Sequence, residues 1–325
     1  MSVSPLVFVH VPKTAGTSFR LGVDQFFGED RVCRDYGAGS SDTSAIVNEC
    51  LYERSDMWDF RLKFEQSNYQ FLTGHFGASR YMPAFPVVNM ITFLRDPLQR
   101  TVSEYHHLVK HAGYEGSLEQ FYRSPQFINR QHNMFRGVHW AALGFVGITE
   151  RYDESLDLLR DGFGLDVPRM ESNTGRENWR EPYRLSEDQE IEFRRLNAAD
   201  IRLYNMARDQ FDWRTKLRRR GDPYVSGMVT EYRDQQLMGW AYATGAQSPA
   251  YIQVSVNGKL RAEVAAKGFR QGLHAYGVPR GANIGFSVKL PSLTSKDLVE
   301  CTVATTGQPL ANSPWRLPKQ VPGKA

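Results

Sequence analysis

The residues that could perform chemistry begin in the stretch FVHVPKTAGTSF, residues 8–19. An apolar run stops at Pro12 and is followed by a lysine, small residues and hydroxyls, after which a helical pattern starts. A strand, a tight loop and a helix N-terminus in this order commonly bind phosphate, because unpaired backbone N–H groups point at the anion. We therefore predict a phosphate-binding loop that consists of Lys13, Thr14, Ala15, Gly16, Thr17 and Ser18.

The position of the lysine separates this loop from the common nucleoside-triphosphate loop, GxxxxGK[ST]. If Gly16 is taken as the second glycine, Val11 stands in place of the first glycine and Thr17 in place of the lysine. A triphosphate site needs its lysine after the glycine and a hydroxyl on Mg²⁺. The spacing argues against such a site, and an ordinary strand–helix turn with Lys13 on the surface stays an alternative.

A second group of candidate ligands lies in FLRDPLQRTVSEY, residues 93–105. Arg95 directly follows the apolar run VVNMITFL, and ligands of open α/β sheets collect at the carboxyl ends of the strands. Ser103 lies further along the helix that begins near Pro97. We predict that Arg95 and Ser103 bind a second anion, whereas Arg100 is either a ligand or a bracing residue.

His75 is the candidate general base. It follows a predicted strand in TGHFGASRYM, residues 73–82, between the two anion-binding motifs. An imidazole with an ordinary pKa near ~6.5 can take a proton from a hydroxyl at neutral pH. A carboxylate such as Glu49 or Glu53 is the alternative base, and a purely structural histidine is the alternative role for His75.

The motifs PKTAGTSF and RDPLQRTVSEY together resemble the two nucleotide signatures of the sulfotransferases. They are most similar to the carbohydrate family that includes heparan sulfate 2-O-sulfotransferase, over about residues 5–215. The resemblance implies a P-loop-type α/β fold and the co-substrate 3′-phosphoadenosine 5′-phosphosulfate (PAPS), with no metal. It implies that the first loop wraps the 5′-phosphosulfate and that Lys13 stabilises the leaving phosphate.

The same resemblance implies that Arg95 and Ser103 hold the 3′-phosphate and that His75 is the catalytic base. The family has a His-Gly-His turn where this chain has Thr73-Gly74-His75, so one of its two histidines is absent. In the polar segment 171–185, Arg176 is the expected contact to the 3′-phosphate, with Asn173 and Thr174 nearby. A plain surface loop is the alternative for this segment.

These features predict a bacterial-type O-sulfotransferase that acts on a hydroxyl of a saccharide or glycolipid. One alternative is a Mg²⁺- and ATP-dependent sugar or small-molecule kinase, which would use the same strand, loop and helix. The other is a non-catalytic glycan-binding protein. His107 and His111 are spaced to share a helix face, but no pattern of Cys, Asp or Glu completes a metal site, so we predict none.

Composition is that of a globular protein in a reducing compartment. The chain of 325 residues is 41% hydrophobic, and 40 basic against 36 acidic residues give a net charge of +4. Three dispersed cysteines, no signal peptide and no long apolar run predict a cytoplasmic protein without a transmembrane segment. The small charge excess does not favour a nucleic-acid partner, whereas the basic run 214–220 permits peripheral membrane contact.

The elements that must position these side chains alternate between strands and helices up to about residue 216. Such alternation predicts a mostly parallel sheet covered by helices on both faces. We predict a domain over 1–216, a basic linker over 217–223, a small β-sandwich-like accessory module over 224–316 and a tail over 317–325. Asn-Gly at 257–258 predicts a tight hairpin in the module. The oligomeric state is not predictable from the sequence.

Overall fold

The computed structural model describes residues 5–170 and 182–317. The chain divides into two compact units, Met1–Arg208 and Asp209–Ala325. The predicted domain boundary at residue 216 lies inside one helix, Ala198–Arg220, so the first residues of the predicted linker are helical. A boundary at 216 stays a prediction.

The first unit contains a five-stranded parallel sheet with the strand order β2-β3-β1-β4-β5. Strands β1, β3 and β4 are buried along their whole length, as expected for central strands covered on both faces. The predicted α/β class with a parallel sheet is therefore confirmed. The strands are β1 Leu6–Val9, β2 Val32–Asp35, β3 Phe71–Gly74, β4 Met90–Leu94 and β5 Phe145–Ile148.

Helices connect and flank these strands. Helix α4 begins as predicted, with Asp96 accepting hydrogen bonds from the N–H groups of Leu98 and Gln99 at 3.0 Å each and with Pro97 in its first turn. The helices of this part of the chain are α1 Gly16–Phe27, α2 Ala45–Val47, α3 Met57–Gln66, α4 Pro97–Ala112, α5 Leu118–Arg123, α6 Arg130–Met134, α7 Tyr152–Phe163, α8 Glu187–Leu196 and α9 Ala198–Arg220.

Residues 186–211 have the apolar spacing of one continuous helix but belong to two, α8 and α9. Ser186 and Gln189 form a capping box at the start of α8. Asn197 then ends α8, because its side-chain amide donates to the carbonyl of Phe193 at 3.2 Å and its backbone leaves the helical region. An asparagine that hydrogen-bonds to nearby backbone competes with the helix, and the sequence pattern did not reveal this.

The second unit carries the predicted β module. Its strands form a four-stranded sheet of order β10-β11-β7-β6 and a three-stranded sheet of order β12-β8-β9, which share one apolar core. Asn257 and Gly258 form the predicted tight turn, both with positive φ, between β8 and β9. The elements are β6 Val225–Arg233, β7 Gln236–Ala243, β8 Tyr251–Val256, β9 Lys259–Ala265, β10 Gly268–Phe269, α10 Gln271–His274, β11 Asn283–Lys289 and β12 Val299–Val303.

Two further observations concern the chain as a whole. Cys33, Cys50 and Cys301 are all buried as thiols. Across residues 5–170 and 182–317, no helix combines the length and the apolar character needed to cross a membrane.

Candidate active site

Polar residues follow four neighbouring strands of the parallel sheet. Tyr36 follows β2, His75 follows β3, His10 follows β1 and Arg95 follows β4. Because the strands are parallel, all of these residues lie at the same edge, where the loop after β1 also begins. The structure therefore brings together the predicted residues His75, Lys13 and Arg95. It adds His10 and Tyr36, which the sequence analysis missed.

The loop after β1 has an unusual backbone. Lys13 and Ala15 have φ angles of 68° and 64°, in the left-handed region that residues other than glycine avoid. Such conformations cost about 1–3 kcal/mol each and concentrate at functional sites. The Thr14 hydroxyl donates to the carbonyl of Val11 at 2.8 Å, and Arg95 Nη1 donates to the carbonyl of Lys13 at 3.2 Å. Hydrogen bonds from both sides thus hold the loop in this conformation.

The N-terminus of α1 is open to an anion. Its N-cap residue is Ala15, which has no side-chain acceptor, and the first turn contains no acidic residue. In α4, by contrast, the carboxylate of Asp96 occupies this position. Thr17 is exposed and Ser18 half-buried in the first turn of α1. An uncapped helix N-terminus beside Lys13 has the donors and the positive potential that bind phosphate.

A pair of histidines lies next to this loop. The rings of His10 and His75 are nearly perpendicular, with centroids 4.4 Å apart, and the Tyr36 ring lies 5.0 Å from that of His75. His10 is buried, and its Nδ1 is 3.4 Å from the Tyr36 hydroxyl. A second imidazole, that of His10, therefore lies beside His75, directly after the adjacent strand β1.

Gly16 and His10 fit each other sterically. A Cβ atom at position 16 would lie 1.8 Å from His10 Nε2, far inside van der Waals contact. The glycine is needed here for close approach of an imidazole to the start of α1. The ring of His10 is stacked on Phe8 at 5.4 Å between centroids. The close approach of Gly16 to His10 therefore connects the loop after β1 to the histidine pair.

Burial lowers the pKa of His75 from 6.5 to about 4. Burial is the largest cause of this shift; the positive charges of Arg130 and Arg20 contribute in the same direction, and the carboxylate of Glu104 acts in the opposite direction. Although protein surrounds much of the ring, His75 keeps one side exposed to solvent. The imidazole is consequently neutral at pH 7 and accessible, which are the two properties that a general base requires.

The pKa values of two residues near His75 are also lowered. Burial lowers the pKa of His10 well below its ordinary value, because the protonated ring would lose water and would lie beside His75, Arg20 and Lys13. Burial also lowers the pKa of Lys13, with a contribution from Arg95 that Glu104 opposes. The positive groups at this edge therefore repel one another in the free protein.

The turn that carries His75 is fixed by a buried carboxylate. The His75 N–H donates to the carbonyl of Asp35 at 3.0 Å. The Asp35 side chain accepts hydrogen bonds from the hydroxyls of Tyr52 and Tyr81, at 2.6 and 2.9 Å, and pairs with Arg80 at 3.0 Å. Because Tyr81 and Arg80 follow His75 in the chain, this network attaches the turn after β3 to the end of β2.

Ser103 and Arg100 lie on α4 and differ in environment. Ser103 is half-buried, and its side-chain hydroxyl has no hydrogen-bond partner among the residues that the structure describes. A ligand role for Ser103 stays a prediction. Arg100 is completely buried and pairs with Glu104 at 2.5 Å. Of the two roles considered for Arg100, bracing of the core is the one that the structure supports.

The remaining candidates lie elsewhere. Arg176, Asn173 and Thr174 fall outside the described residues, and their predicted contacts stay predictions. Glu49 forms surface ion pairs with Lys63 and Arg54, at 2.7 and 3.1 Å, as expected of a solvated helix end. In the described ranges, no three His, Cys, Asp or Glu side chains converge as a metal site.

A polar cavity of about 340 Å³ opens beside Arg20. The guanidinium of Arg20 lies 6.0 Å from the ring centroid of Tyr36, and the Tyr36 ring is in turn a neighbour of His75. Leu21 is the apolar member of the lining, and Arg34 pairs with Asp24 across it at 2.6 Å. The other lining residues carry carboxylates or hydroxyls: Glu29, Ser41, Asp42, Thr43 and Ser44.

These elements and side chains define an α/β protein in which the uncapped N-terminus of α1 lies beside a pair of histidines with lowered pKa values. Neither known protein families nor curated proteins give a match to the chain. A solved structure of a sulfotransferase from Alicyclobacillus acidocaldarius is similar over 62% of this chain and 94% of its own, with 15% identity and a TM-score of 0.34. A likeness at this level assigns neither the fold nor the activity.

Proposed function

We propose that this chain is a PAPS-dependent O-sulfotransferase that acts on a hydroxyl of a saccharide or of a glycolipid headgroup. One observation carries the proposal. The open N-terminus of α1, Lys13 and Arg95 lie at one sheet edge beside the neutral, accessible imidazole of His75. Such a set can bind a phosphate ester and deprotonate a hydroxyl at the same place.

The side chains present fit a donor that carries phosphate at two positions. The first turn of α1, with Thr17 and Ser18, would hold the 5′-phosphosulfate. Arg95 and Ser103 would hold the 3′-phosphate. When bound, PAPS would supply the sulfuryl group for transfer.

The chain itself supplies a base and positive charge. His75 takes the proton of the acceptor hydroxyl on a ring nitrogen, and the acceptor oxygen thereby becomes nucleophilic. Lys13 contributes a cation to stabilise negative charge on the departing bisphosphate, without reorganisation because the loop is already fixed. His10, buried behind the base, keeps the imidazole of His75 in place against the loop.

The cavity beside Arg20 is the basis for proposing a saccharide acceptor. Its lining offers carboxylates, hydroxyls and guanidinium groups, which pair with the hydroxyls of a sugar. A steroid or a phenol would need an apolar lining, since burying unpaired polar groups is costly.

The pKa of His75 leads to a testable pH dependence. The neutral imidazole is the active form and its pKa is lowered to about 4, so it becomes protonated only in strongly acidic solution. We expect kcat/KM for PAPS, which reports the free enzyme, to stay level from neutral pH down to about pH 5 and to fall at lower pH. A pH–rate profile measures this limb. An acid limb near ~6.5, the ordinary value for histidine, would contradict the proposed environment of His75.

Nucleotide binding tests the proposal directly. We expect adenosine 3′,5′-bisphosphate to bind in the presence of EDTA and far more tightly than ATP, by isothermal titration calorimetry. Lys13→Ala and Arg95→Ala should each weaken this binding by about 10-fold or more, because each removes a charged partner of a phosphate. Arg194→Ala is the matched control, since Arg194 is exposed and pairs with Glu190 on the surface of α8.

The same titration separates the alternatives. Preference for ATP with a requirement for Mg²⁺ would overturn the sulfotransferase proposal in favour of a kinase. Binding of a saccharide without any binding of the bisphosphate would favour a glycan-binding protein.

A further inference from the structure

The amide side chain of Gln131 is bound to the main chain of Arg95. The N–H of Arg95 donates to Gln131 Oε1 at 3.0 Å, and Gln131 Nε2 donates to the carbonyl of Arg95 at 2.8 Å. Gln131 is completely buried. Arg95 is the first residue after β4, so the amide binds both polar groups of the backbone where the strand ends.

Gln131 is itself held by a second buried group. It lies on α6, the five-residue helix Arg130–Met134, which follows Asn129 in the left-handed conformation with φ 51°. The carboxylate of Asp200, on α9, accepts hydrogen bonds from the N–H groups of Gln131 and His132 at 3.2 and 2.7 Å. Asp200 is completely buried and thus caps α6 from another part of the chain.

Two hydrogen bonds of Asn129, one to Asn197 and one from Asp200, complete this attachment. The N–H of Asn129 donates to Asn197 Oδ1 at 2.9 Å, and the N–H of Asp200 donates to Asn129 Oδ1 at 3.0 Å. A continuous series of hydrogen bonds therefore runs from the start of α9 through α6 to the backbone of Arg95. Burying an amide and a carboxylate is unfavourable unless each is fully paired, so this series defines a single position for Arg95.

We propose that Gln131 is a positioning residue for the nucleotide, and that it acts by fixing the backbone of Arg95. This inference rests on the proposed function, in which Arg95 binds the 3′-phosphate. Arg95 Nη1 also donates to the carbonyl of Lys13 at 3.2 Å. With the backbone of Arg95 fixed by Gln131, one guanidinium can hold the loop after β1 and face the 3′-phosphate at the same time.

A pair of nucleotides separates positioning from simple stabilisation of the fold. Adenosine 3′,5′-bisphosphate carries the phosphate that Arg95 would bind, and adenosine 5′-phosphate lacks it. We expect Gln131→Ala to weaken binding of the bisphosphate by about 3- to 10-fold, the worth of one or two hydrogen bonds, and to leave binding of the 5′-phosphate unchanged. Arg95→Ala should weaken binding of the bisphosphate more than Gln131→Ala does, with a smaller loss for the 5′-phosphate, because the Arg95 guanidinium also holds the carbonyl of Lys13.

The variants are compared by calorimetry after their melting temperatures are measured. Gln131→Glu keeps the size of the side chain and the acceptor for the Arg95 N–H but sets a buried carboxylate oxygen against the Arg95 carbonyl, so a loss at least as large as that of the alanine variant is expected. It also provides the measurement if the alanine variant does not fold. Gln66→Ala, at the exposed end of α3, is the matched control. In an Arg95→Ala background, Gln131→Ala should cause no further loss, because the two residues act as one unit.

Four results would overturn the inference. Equal losses for both nucleotides, or an additional loss in the Arg95→Ala background, would show that Gln131 only stabilises the fold. Wild-type affinity of Gln131→Ala for both nucleotides would remove Gln131 from nucleotide binding. If the wild-type protein does not distinguish the two nucleotides, the proposed function itself fails, and the inference about Gln131 fails with it.

Discussion

Replacing His75 with alanine should lower kcat by about 10²- to 10⁴-fold, the usual contribution of a general base. Affinity for adenosine 3′,5′-bisphosphate should stay close to that of the wild type, because in the proposed reaction His75 acts on the acceptor hydroxyl and not on the phosphates. Steady-state kinetics with PAPS and an accepted saccharide, together with calorimetry, measure the two quantities. A loss in kcat without a loss in affinity is the signature of an interaction that is made in the transition state.

His111→Ala is the control for this variant. His111 is an exposed histidine on α4, and its replacement removes an imidazole without touching the sheet edge. Wild-type turnover in the His75→Ala protein would remove His75 from the mechanism, and Lys13 and Arg95 would then define a binding site without an identified base.

Replacing Gly16 with alanine should disrupt the anion-binding loop, although the change adds one carbon atom. The new Cβ would lie 1.8 Å from Nε2 of His10, and the ring is buried against Phe8 and His75, with little room to move. Overpacking of this kind costs about 1–3 kcal/mol, so nucleotide affinity should fall by about 10-fold or more. Thermal unfolding and bisphosphate titration measure the two effects.

A double variant tests the cause of this effect. In His10→Ala/Gly16→Ala the imidazole is gone and the new methyl group has space, so nucleotide affinity should recover relative to Gly16→Ala. Gly162→Ala is the control, because a Cβ at this exposed helical position meets nothing within 4 Å. If the double variant binds as weakly as Gly16→Ala, contact with His10 is not the reason for the glycine.

The sequence predicted which residues lie at this edge of the sheet when they come soon after a strongly apolar run. Lys13, His75 and Arg95 were found in this way, because the carboxyl ends of parallel strands share an edge. His10 was missed because the apolar run around it suggested a strand as far as Val11, whereas β1 ends at Val9. An earlier strand end would have placed His10 at the edge with the others.

Residues whose position depends on tertiary contacts could not be predicted from the sequence. Strand β2 was not predicted, since half of its four residues, Arg34 and Asp35, are polar and find partners only in the fold. Tyr36 was missed with it. Gln131 had no local signal either, because its partner Arg95 lies on another element of the fold. Side-chain amides that bind a distant backbone leave no periodic pattern in a sequence.

The crowding of positive charge around His75 has a consequence for the order of events at the site. In the free protein burial is the main cause of the lowered pKa of His75, and Arg130 and Arg20 add to it while Glu104 acts in the opposite direction. A bound anionic donor would neutralise this excess and raise the pKa of the imidazole. By linkage, donor binding and the proton affinity of the base strengthen each other. The base would thus be weak while the site is empty and become effective once the donor is in place.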